Sequence, residues 1–226
     1  MQAAFVLSYK KSTFEVNGVL TANDIILRDF RESDIETRIH WENVETEWQL
    51  WDGPWEYEGL TDDEREQNMA SYLKNMHKWV AMYKGMPASA PRTQFQIETL
   101  PDHRYISWVS SYRIDSDYTI NPDGEKCAVG IDIPDMASRG HGYAAKALCL
   151  FIEYLLKCGE KEIYTQTWSG NVRMIGLAHK LGFTECRRKK DLRTVRGDKY
   201  DGLTFGMDMA LFRKAFESVL GRACRF

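Results

Sequence analysis

The sequence predicts a mixed α/β fold, with a sheet of largely antiparallel strands and helices on both faces. The first sign is a pair of strand patterns. Phe95, Ile97 and Thr99 alternate, and Tyr105 to Ile114 is a run of aromatic, β-branched and serine residues. The second is the apolar run Cys127 to Ile133, a further strand behind the turn Asn121-Pro122-Asp123-Gly124. The third is a glycine turn after that strand, opening a helix to about Lys157 with Ala144, Leu148, Phe151, Ile152 and Leu155 on one face and Gly159 as its stop. A meander that runs into a strand, helix and strand unit makes a mixed sheet covered on both sides.

Taken from the start, residues 3 to 17 alternate at Phe5, Leu7 and Tyr9, then at Phe14 and Val16. They suggest a hairpin turning near Lys10-Lys11, within an N-terminal extension of residues 1–23 that carries no assignable function. Ile25-Ile26-Leu27 with Arg28 reads as the first core strand, and Ser33 is placed to cap a helix from about Asp34. Thr61 with Glu64 forms a capping box, and the helix it opens puts Met69, Tyr72, Leu73, Met76 and Val80 on one side. Pro87 to Pro91 is a loop. At the far end Leu203 to Met209 alternates as an antiparallel strand, and Ala210 to Leu220 is a closing helix.

The chain's 226 residues, 43% of them hydrophobic, suffice for one domain with a real core, and 1–226 is read as a single domain. No apolar run reaches the length of a membrane span and Met1 to Ser8 lacks the basic start of a secretory signal, so a soluble, cytoplasmic protein without a membrane partner is expected. Five cysteines (Cys127, Cys149, Cys158, Cys186, Cys224) are odd in number and never form C-x-x-C. Free, buried thiols are therefore expected, with neither a disulfide framework nor a metal site. A net charge of −3 gives no reason to expect a nucleic-acid partner, and a monomer and a homodimer are equally compatible with the composition.

The turn Arg139-Gly140-His141-Gly142-Tyr143-Ala144 carries the first functional signal. A helix N-terminus exposes unpaired N–H groups and the positive end of its dipole, which suits a phosphate, and the two glycines let a ligand approach the main chain. An ordinary glycine loop between a core strand and a core helix would look similar. The turn lacks the Gly-Lys-Ser/Thr of a P-loop and the G-x-G-x-x-G of a dinucleotide fold, which argues against a nucleoside triphosphate or a nicotinamide.

Read as R-x-x-G-x-A, Arg139 to Ala144 resembles the pyrophosphate-binding motif of the GNAT N-acetyltransferase superfamily. Thr167 to Ile175, followed by Lys180-Leu181-Gly182-Phe183, resembles the family's next strand, helix and "LGF" segment. Gly197 to Leu203 resembles the closing hairpin of the branch with ribosomal-protein alanine N-acetyltransferases. The resemblance implies a mixed, mostly antiparallel sheet of about seven strands with an acetyl-CoA-binding core over 126–183. It also implies acetyl-CoA as co-substrate and transfer of its acetyl group to a primary amine, a protein N-terminus or a small cationic amine, by direct attack through a tetrahedral intermediate. By the same resemblance the backbone of Arg139, Gly140, His141, Gly142, Tyr143 and Ala144 holds the pyrophosphate. The strand at Ile131 and Ile133 meets the pantetheine arm, with a main-chain N–H near the thioester oxygen. Asn171 meets the arm from the other side, although its position also suits an N-cap.

Three family positions depart from the pattern. Ala128 stands where a glutamate base is common, Ala178 where a tyrosine acid is common, and Met174 where the alanine-acetylating branch often has serine. A neutral amine is required for attack, so a proton acceptor is still needed. Candidates are Asp132, Glu45, Glu47, Asp115 and Asp117; Asp132 interrupts an apolar strand, but is also readable as an exposed residue on the opposite face. A thiol of pKa roughly 8.5 can leave as thiolate without an acid. The same departures motivate an alternative class, a non-catalytic acyl-CoA binding or sensing domain. Glu42 to Glu66 holds ten carboxylates against Arg65 alone, with Trp48, Trp51 and Trp55, while Arg187 to Lys199 carries seven bases against Asp191 and Asp198. If the first segment covers the acceptor side, Glu45, Glu47, Trp48 and Trp51 would form an acidic, aromatic mouth for a cationic amine. Solvated carboxylates and core tryptophans are the plainer explanation. Phe151, Trp168 and Phe183 are expected to be structural.

Overall fold

The computed structural model describes residues 14–15, 19–22 and 24–221. Nine strands form one sheet in the order β1-β2-β3-β4-β5-β6-β7-β9-β8. They are β1 (Phe14–Glu15), β2 (Val19–Ala22), β3 (Ile25–Arg28), β4 (Gln94–Thr99), β5 (Tyr105–Ile114), β6 (Lys126–Asp132), β7 (Ile163–Trp168), β8 (Phe183–Val195) and β9 (Asp198–Met207). Five helices accompany them: α1 (Asp34–Asn43), α2 (Asp62–Gly85), α3 (Tyr143–Lys157), α4 (Val172–Lys180) and α5 (Met209–Leu220). Every neighbouring pair is antiparallel except β6 and β7, which α3 connects. The mixed, mostly antiparallel fold agrees with the sequence reading. The strand count exceeds the expected seven or so because β1 and β2 add to the edge beside β3. The hairpin expected near Lys10-Lys11 lies outside the described residues.

The two helix layers bury different chemistry. Against one face pack α3, α4 and α5, whose Leu148, Phe151, Ile152, Leu155, Phe212 and Phe216 join Phe95, Ile97, Phe183 and Phe205 in the main core. On the other side α1 and α2 form a smaller cluster of Phe30, Ile35, Met76, Val80 and Tyr83, and Trp41, Trp48 and Trp108 form a third. The Thr61–Glu64 capping box is present: the Thr61 N–H donates to the Glu64 carboxylate at 2.8 Å and the Glu64 N–H to the Thr61 hydroxyl at 3.3 Å.

Ser33 does not cap α1. It already has helical angles, and its side chain makes no capping bond. Asp34 takes that place, accepting the Arg31 N–H at 2.8 Å and both terminal nitrogens of Arg28 at 2.7 and 2.8 Å. Arg28 also pairs with Glu98, so a buried arginine between two buried carboxylates ties α1 to β3 and β4. Cys127 and Cys149 are buried as expected, but Cys158 and Cys186 are exposed, because one follows α3 and the other lies on the solvent side of the long hairpin β8–β9. No helix of the described residues is long and apolar enough to cross a membrane.

Phe183 opens β8 with 2% of its surface exposed, inside the main core. Truncating it to alanine should cost about 3–5 kcal/mol, read as a lower urea midpoint with an unchanged slope.

Candidate active site

β6 and β7 pair only at Cys127↔Ile163 and Ala128↔Tyr164. One step on, the Thr165 hydroxyl donates to the Val129 carbonyl at 2.8 Å, a side chain replacing a ladder bond. Past it the ladder ends, and Ile131, Asp132 and Ile133 line a cleft of about 520 Å3. At one end of this cleft lies the glycine turn. Gly140 and Gly142 have φ of 80° and 81°, a left-handed backbone that favours glycine, and the space beside each is open. α3 starts at Tyr143 with no side-chain cap, so the turn offers its N–H groups to the cleft.

Arg139 faces inward rather than toward a phosphate. Its Nε donates to the Ile133 carbonyl at 2.8 Å and its Nη1 pairs with Glu47, which ties the turn to the end of β6 and to the 3-10 turn Thr46–Leu50. His141 is exposed; its Nδ1 lies 3.0 Å from the Arg139 carbonyl and its ring stacks on Tyr143. Asn171 does cap α4, accepting the Met174 N–H at 3.0 Å, while its Nδ2 donates to the Trp51 carbonyl at 2.9 Å. The same carbonyl accepts the Trp168 indole N–H at 2.8 Å.

That twice-bound carbonyl precedes Asp52, which reaches the floor of the cleft. Asp132 is not exposed on an opposite face: it meets Asp52 in the cleft, and the two carboxyls hydrogen-bond to each other. Trp108 is its cross-strand neighbour in β5. Burial above all, then the charges of Asp52 and Glu42, pushes Asp132 well above the usual carboxylate range, with Arg38 opposing. Asp52 is exposed at the junction of the two cavities, although many protein atoms lie around its carboxyl. Burial and then the Glu56 charge push it up to about 6, against the hydrogen bond from Asp132. A carboxyl pair with raised proton affinity has the chemistry to take up a proton near neutral pH.

Asp52 also lines a second cavity of about 470 Å3, on the far side from the glycine turn. The two cavities meet at this residue. Sequence reasoning did not place it among the site residues, since it is one of ten carboxylates in its segment. Its available signal was the run Trp51-Asp52-Gly53-Pro54-Trp55, in which Gly53 takes φ 58° and pins the aspartate between two 3-10 turns.

The other expected acceptor residues sit elsewhere. Glu47 is consumed by Arg139, by the Trp51 indole N–H at 2.8 Å and by Arg173 at 3.2 Å, which together hold it below the usual range despite partial burial. Trp48 is buried edge-on against Trp108, and Trp51 carries Arg173 over its ring at 4.0 Å; both line the cleft with the glycine turn, not the second cavity. Glu45 lines neither cavity. The acidic mouth is therefore dispersed: Glu64 closes a helix cap, Glu58 faces Arg196, and of that segment's carboxylates only Asp52 and Glu56 reach the second cavity, together with Trp55. Trp168, expected to be purely structural, is buried but forms part of that cavity's wall. Asp115 and Asp117 are bound to their own loop, through Asn121 and Thr119. Among the described residues no cluster of three or more histidine, cysteine or carboxylate groups is arranged to hold a metal.

A strand that parts from its parallel neighbour, a phosphate-suited glycine turn and an asparagine-capped helix across the gap define an acyltransferase architecture. Residues 24–184 match the family model of the GNAT acetyltransferase domain, and the chain belongs to that family. It is thus an acetyl-CoA-dependent N-acetyltransferase, with acetyl-CoA as co-substrate. No curated protein sequence matches the chain. Solved structures share the fold at low identity. A GCN5-related N-acetyltransferase from Brucella melitensis is 12% identical, with 94% of this chain and 88% of that one covered at a TM-score of 0.60. The ribosomal-protein-S5-alanine acetyltransferase of Vibrio fischeri is 16% identical, with 83% and 94% covered and a TM-score of 0.59. A putative acetyltransferase from Salmonella typhimurium, solved with its cofactor acetyl-CoA, is 15% identical, with 83% and 95% covered and a TM-score of 0.54.

The carboxyl pair should mark the stability profile. Both groups are held above their unfolded values, so the folded chain keeps protons that the unfolded chain has lost. Stability attributable to the pair is then full below about pH 4 and falls as pH rises past 6. Asp132→Asn should flatten that decline in denaturant titrations at pH 4 to 7.5, and an unchanged profile would show that the pair ionises normally.

Proposed function

We propose that the chain transfers the acetyl group of acetyl-CoA directly to a primary amine, and that Asp52 and Asp132 together take the amine's proton. The observation that supports this most is the position of the pair, at the junction between the cleft that ends in the glycine turn and the second cavity. In this reading the backbone amides of residues 139–144 hold the pyrophosphate at the start of α3, and Ile131 and Ile133 supply unpaired main-chain groups along the arm. A main-chain N–H of β6 stabilises the thioester oxygen as charge develops there. Asn171 and Met174 form the opposite wall, and Arg173 and Lys180 add positive charge beside it.

Bound acetyl-CoA supplies an activated acyl carbon and a thiolate leaving group. The amine enters from the second cavity as an ammonium, gives a proton to the carboxyl pair, and its lone pair forms the new C–N bond as the C–S bond breaks. The protein packed around the two carboxyls raises the pair's proton affinity toward that of an amine. Ala178 is buried in α4 and supplies no hydroxyl, which accords with the thiol leaving as thiolate. The alanine acetyltransferase among the neighbours supports a protein N-terminus as one class of acceptor.

Two measurements test this reading. Gly142→Asp puts a carboxylate against the pyrophosphate position in a backbone geometry that aspartate tolerates better than most residues. Its affinity for acetyl-CoA in calorimetry should fall by about tenfold or more, the cost of roughly one charged hydrogen bond, with a modest melting shift. Unaltered binding by the folded variant would remove the turn from the site. Asp52→Asn with Asp132→Asn should lower kcat by about 10²–10⁴-fold at pH 7 and abolish the rising acidic limb of the kcat profile. A double variant with full kcat and the same limb would remove the base.

A further inference from the structure

The second cavity has two chemically different ends. One holds Asp52 and Glu56, next to the acyl cleft. The other is a wall from β8 that presents Arg187, Lys189 and Arg193. Among the described residues none of these three forms an ion pair, although Arg188 between them is fully engaged, with Glu185 and Asp201 each at 2.7 Å. Asp117 acts on Arg187 and Lys189 only at longer range, and its carboxylate already accepts the Thr119 N–H and hydroxyl at 2.9 and 3.0 Å.

The wall is also built to hold its shape. The Arg193 guanidinium lies 4.4 Å over the Trp55 ring, which stands edge-on to Trp168, itself edge-on to Tyr200 at 4.8 Å. Leu192 lies beside it and lays a methyl on Gly202, within 2.3 Å of where a Cβ would stand. Three cations with no carboxylate of their own, facing one cavity, are best satisfied by an anion brought by a ligand. The reaction fixes which end is which, since the reacting nitrogen must lie beside Asp52. The anion of the same molecule then meets β8.

Resting on the amine-acetylation reading, we infer that the acceptor is a primary amine bearing an anionic group a few bonds from its nitrogen, a carboxylate or a phosphate. The ammonium docks at Asp52 and Glu56, and the anion docks at Arg187, Lys189 and Arg193. A polyamine, by contrast, would press its remaining ammonium groups against that basic wall. Two sources share the required chemistry: a free amino acid or aminoalkyl phosphate, and a peptide N-terminus that carries acidic residues.

The test is a set of matched acceptors assayed for thiol release from acetyl-CoA: amino acids with their amides, aminoalkyl phosphates with the parent amino alcohols, peptides starting in Asp or Glu with their Asn or Gln counterparts, and polyamines. The anionic member of a pair should have the higher kcat/KM by about tenfold or more, the value of one charge-assisted contact, and polyamines should rank low. The family of pairs with the largest ratio identifies the source. In Arg187→Gln/Lys189→Gln the ratio of anionic to neutral acceptor should collapse toward one, and in Arg187→Glu/Lys189→Glu it should invert. Calorimetry of the same pairs on CoA-loaded protein reads the pocket without turnover. If amines are acetylated but neutral or polycationic ones are preferred, or if the ratio is indifferent to the β8 substitutions, this inference falls while the acetyl-transfer reading stands. If no amine is acetylated although the anionic members still bind selectively, the pocket assignment stands and the catalytic reading falls.

Discussion

The site depends on a parallel strand pair that lets go early. A sheet normally satisfies every main-chain group on both sides of an inner strand, and such a strand has nothing left for a ligand. Here β6 is fully laddered to β5 over Trp108↔Asp132 to Ile114↔Lys126, but to β7 over two residues only. Thr165 closes the wound with its hydroxyl on the Val129 carbonyl, so the parting costs no orphaned group inside the core. Everything functional lies downstream of that point: the strand end at Ile131 to Ile133, the glycine turn, and the wall across the gap from α4. Meanwhile β7 turns away to pair with β9, and the hairpin β8–β9 that it carries becomes the wall of the second cavity.

The segment between α1 and α2 completes the site from outside the sheet, held by hydrogen bonds, ion pairs and ring contacts to β5, β7, α4 and β8. Trp51's carbonyl accepts from Trp168 at the end of β7 and from Asn171 at the start of α4, so the β7 side of the parted strands grips the residue before Asp52. Glu47, four residues earlier, is gripped from both sides, by Arg139 in the turn after β6 and by Arg173 on α4. This arrangement explains why Arg139 and Asn171 spend their side chains on the protein. They anchor the segment between α1 and α2, and in the proposed reading the main chain is left to meet the ligand.

Much of the frame was legible because it is local. The alternation in β4 and β5, the one-sided helix α3, the glycine turn and the Thr61 capping box each follow from residues within a few positions of one another, and motif spacing identified the family. What was not legible depends on distant pairings. Asp34 in place of Ser33 as the organiser of α1 requires Arg28 to be buried beside Glu98, seventy residues away in sequence. The acidic segment looked like a single negative surface, but three-dimensional placement gave Glu47 to two arginines and Glu64 to a cap, leaving Asp52 as the carboxylate that lines both cavities. Likewise the bases after Phe183 read as a charged stretch; only the long hairpin separates Arg188, which is paired, from Arg187 and Lys189, which are not.

The departure at Ala128 has a physical account in the same geometry. Residues 128, 130 and 132 share one face of β6, since side chains alternate along a strand. A carboxylate at 132 therefore stands roughly 7 Å beyond Gly130, toward the glycine turn, where one at 128 would stand about as far before it. Tyr112 faces Ala128 across the ladder, its ring reaches to within 4.0 Å of where a Gly130 side chain would begin, and Ala128 is wholly buried. A glutamate there would have to displace that ring or bury an unpaired charge, which costs several kcal/mol. With Tyr112 in place a carboxylate fits the strand past Gly130, where Asp132 is half-buried in the cleft wall. Asp52, entering from the segment between α1 and α2 and exposed at the junction of the two cavities, gives that carboxyl a partner in direct contact with solvent. The pairing of a strand aspartate with one from that segment thus accords with the space taken by Tyr112.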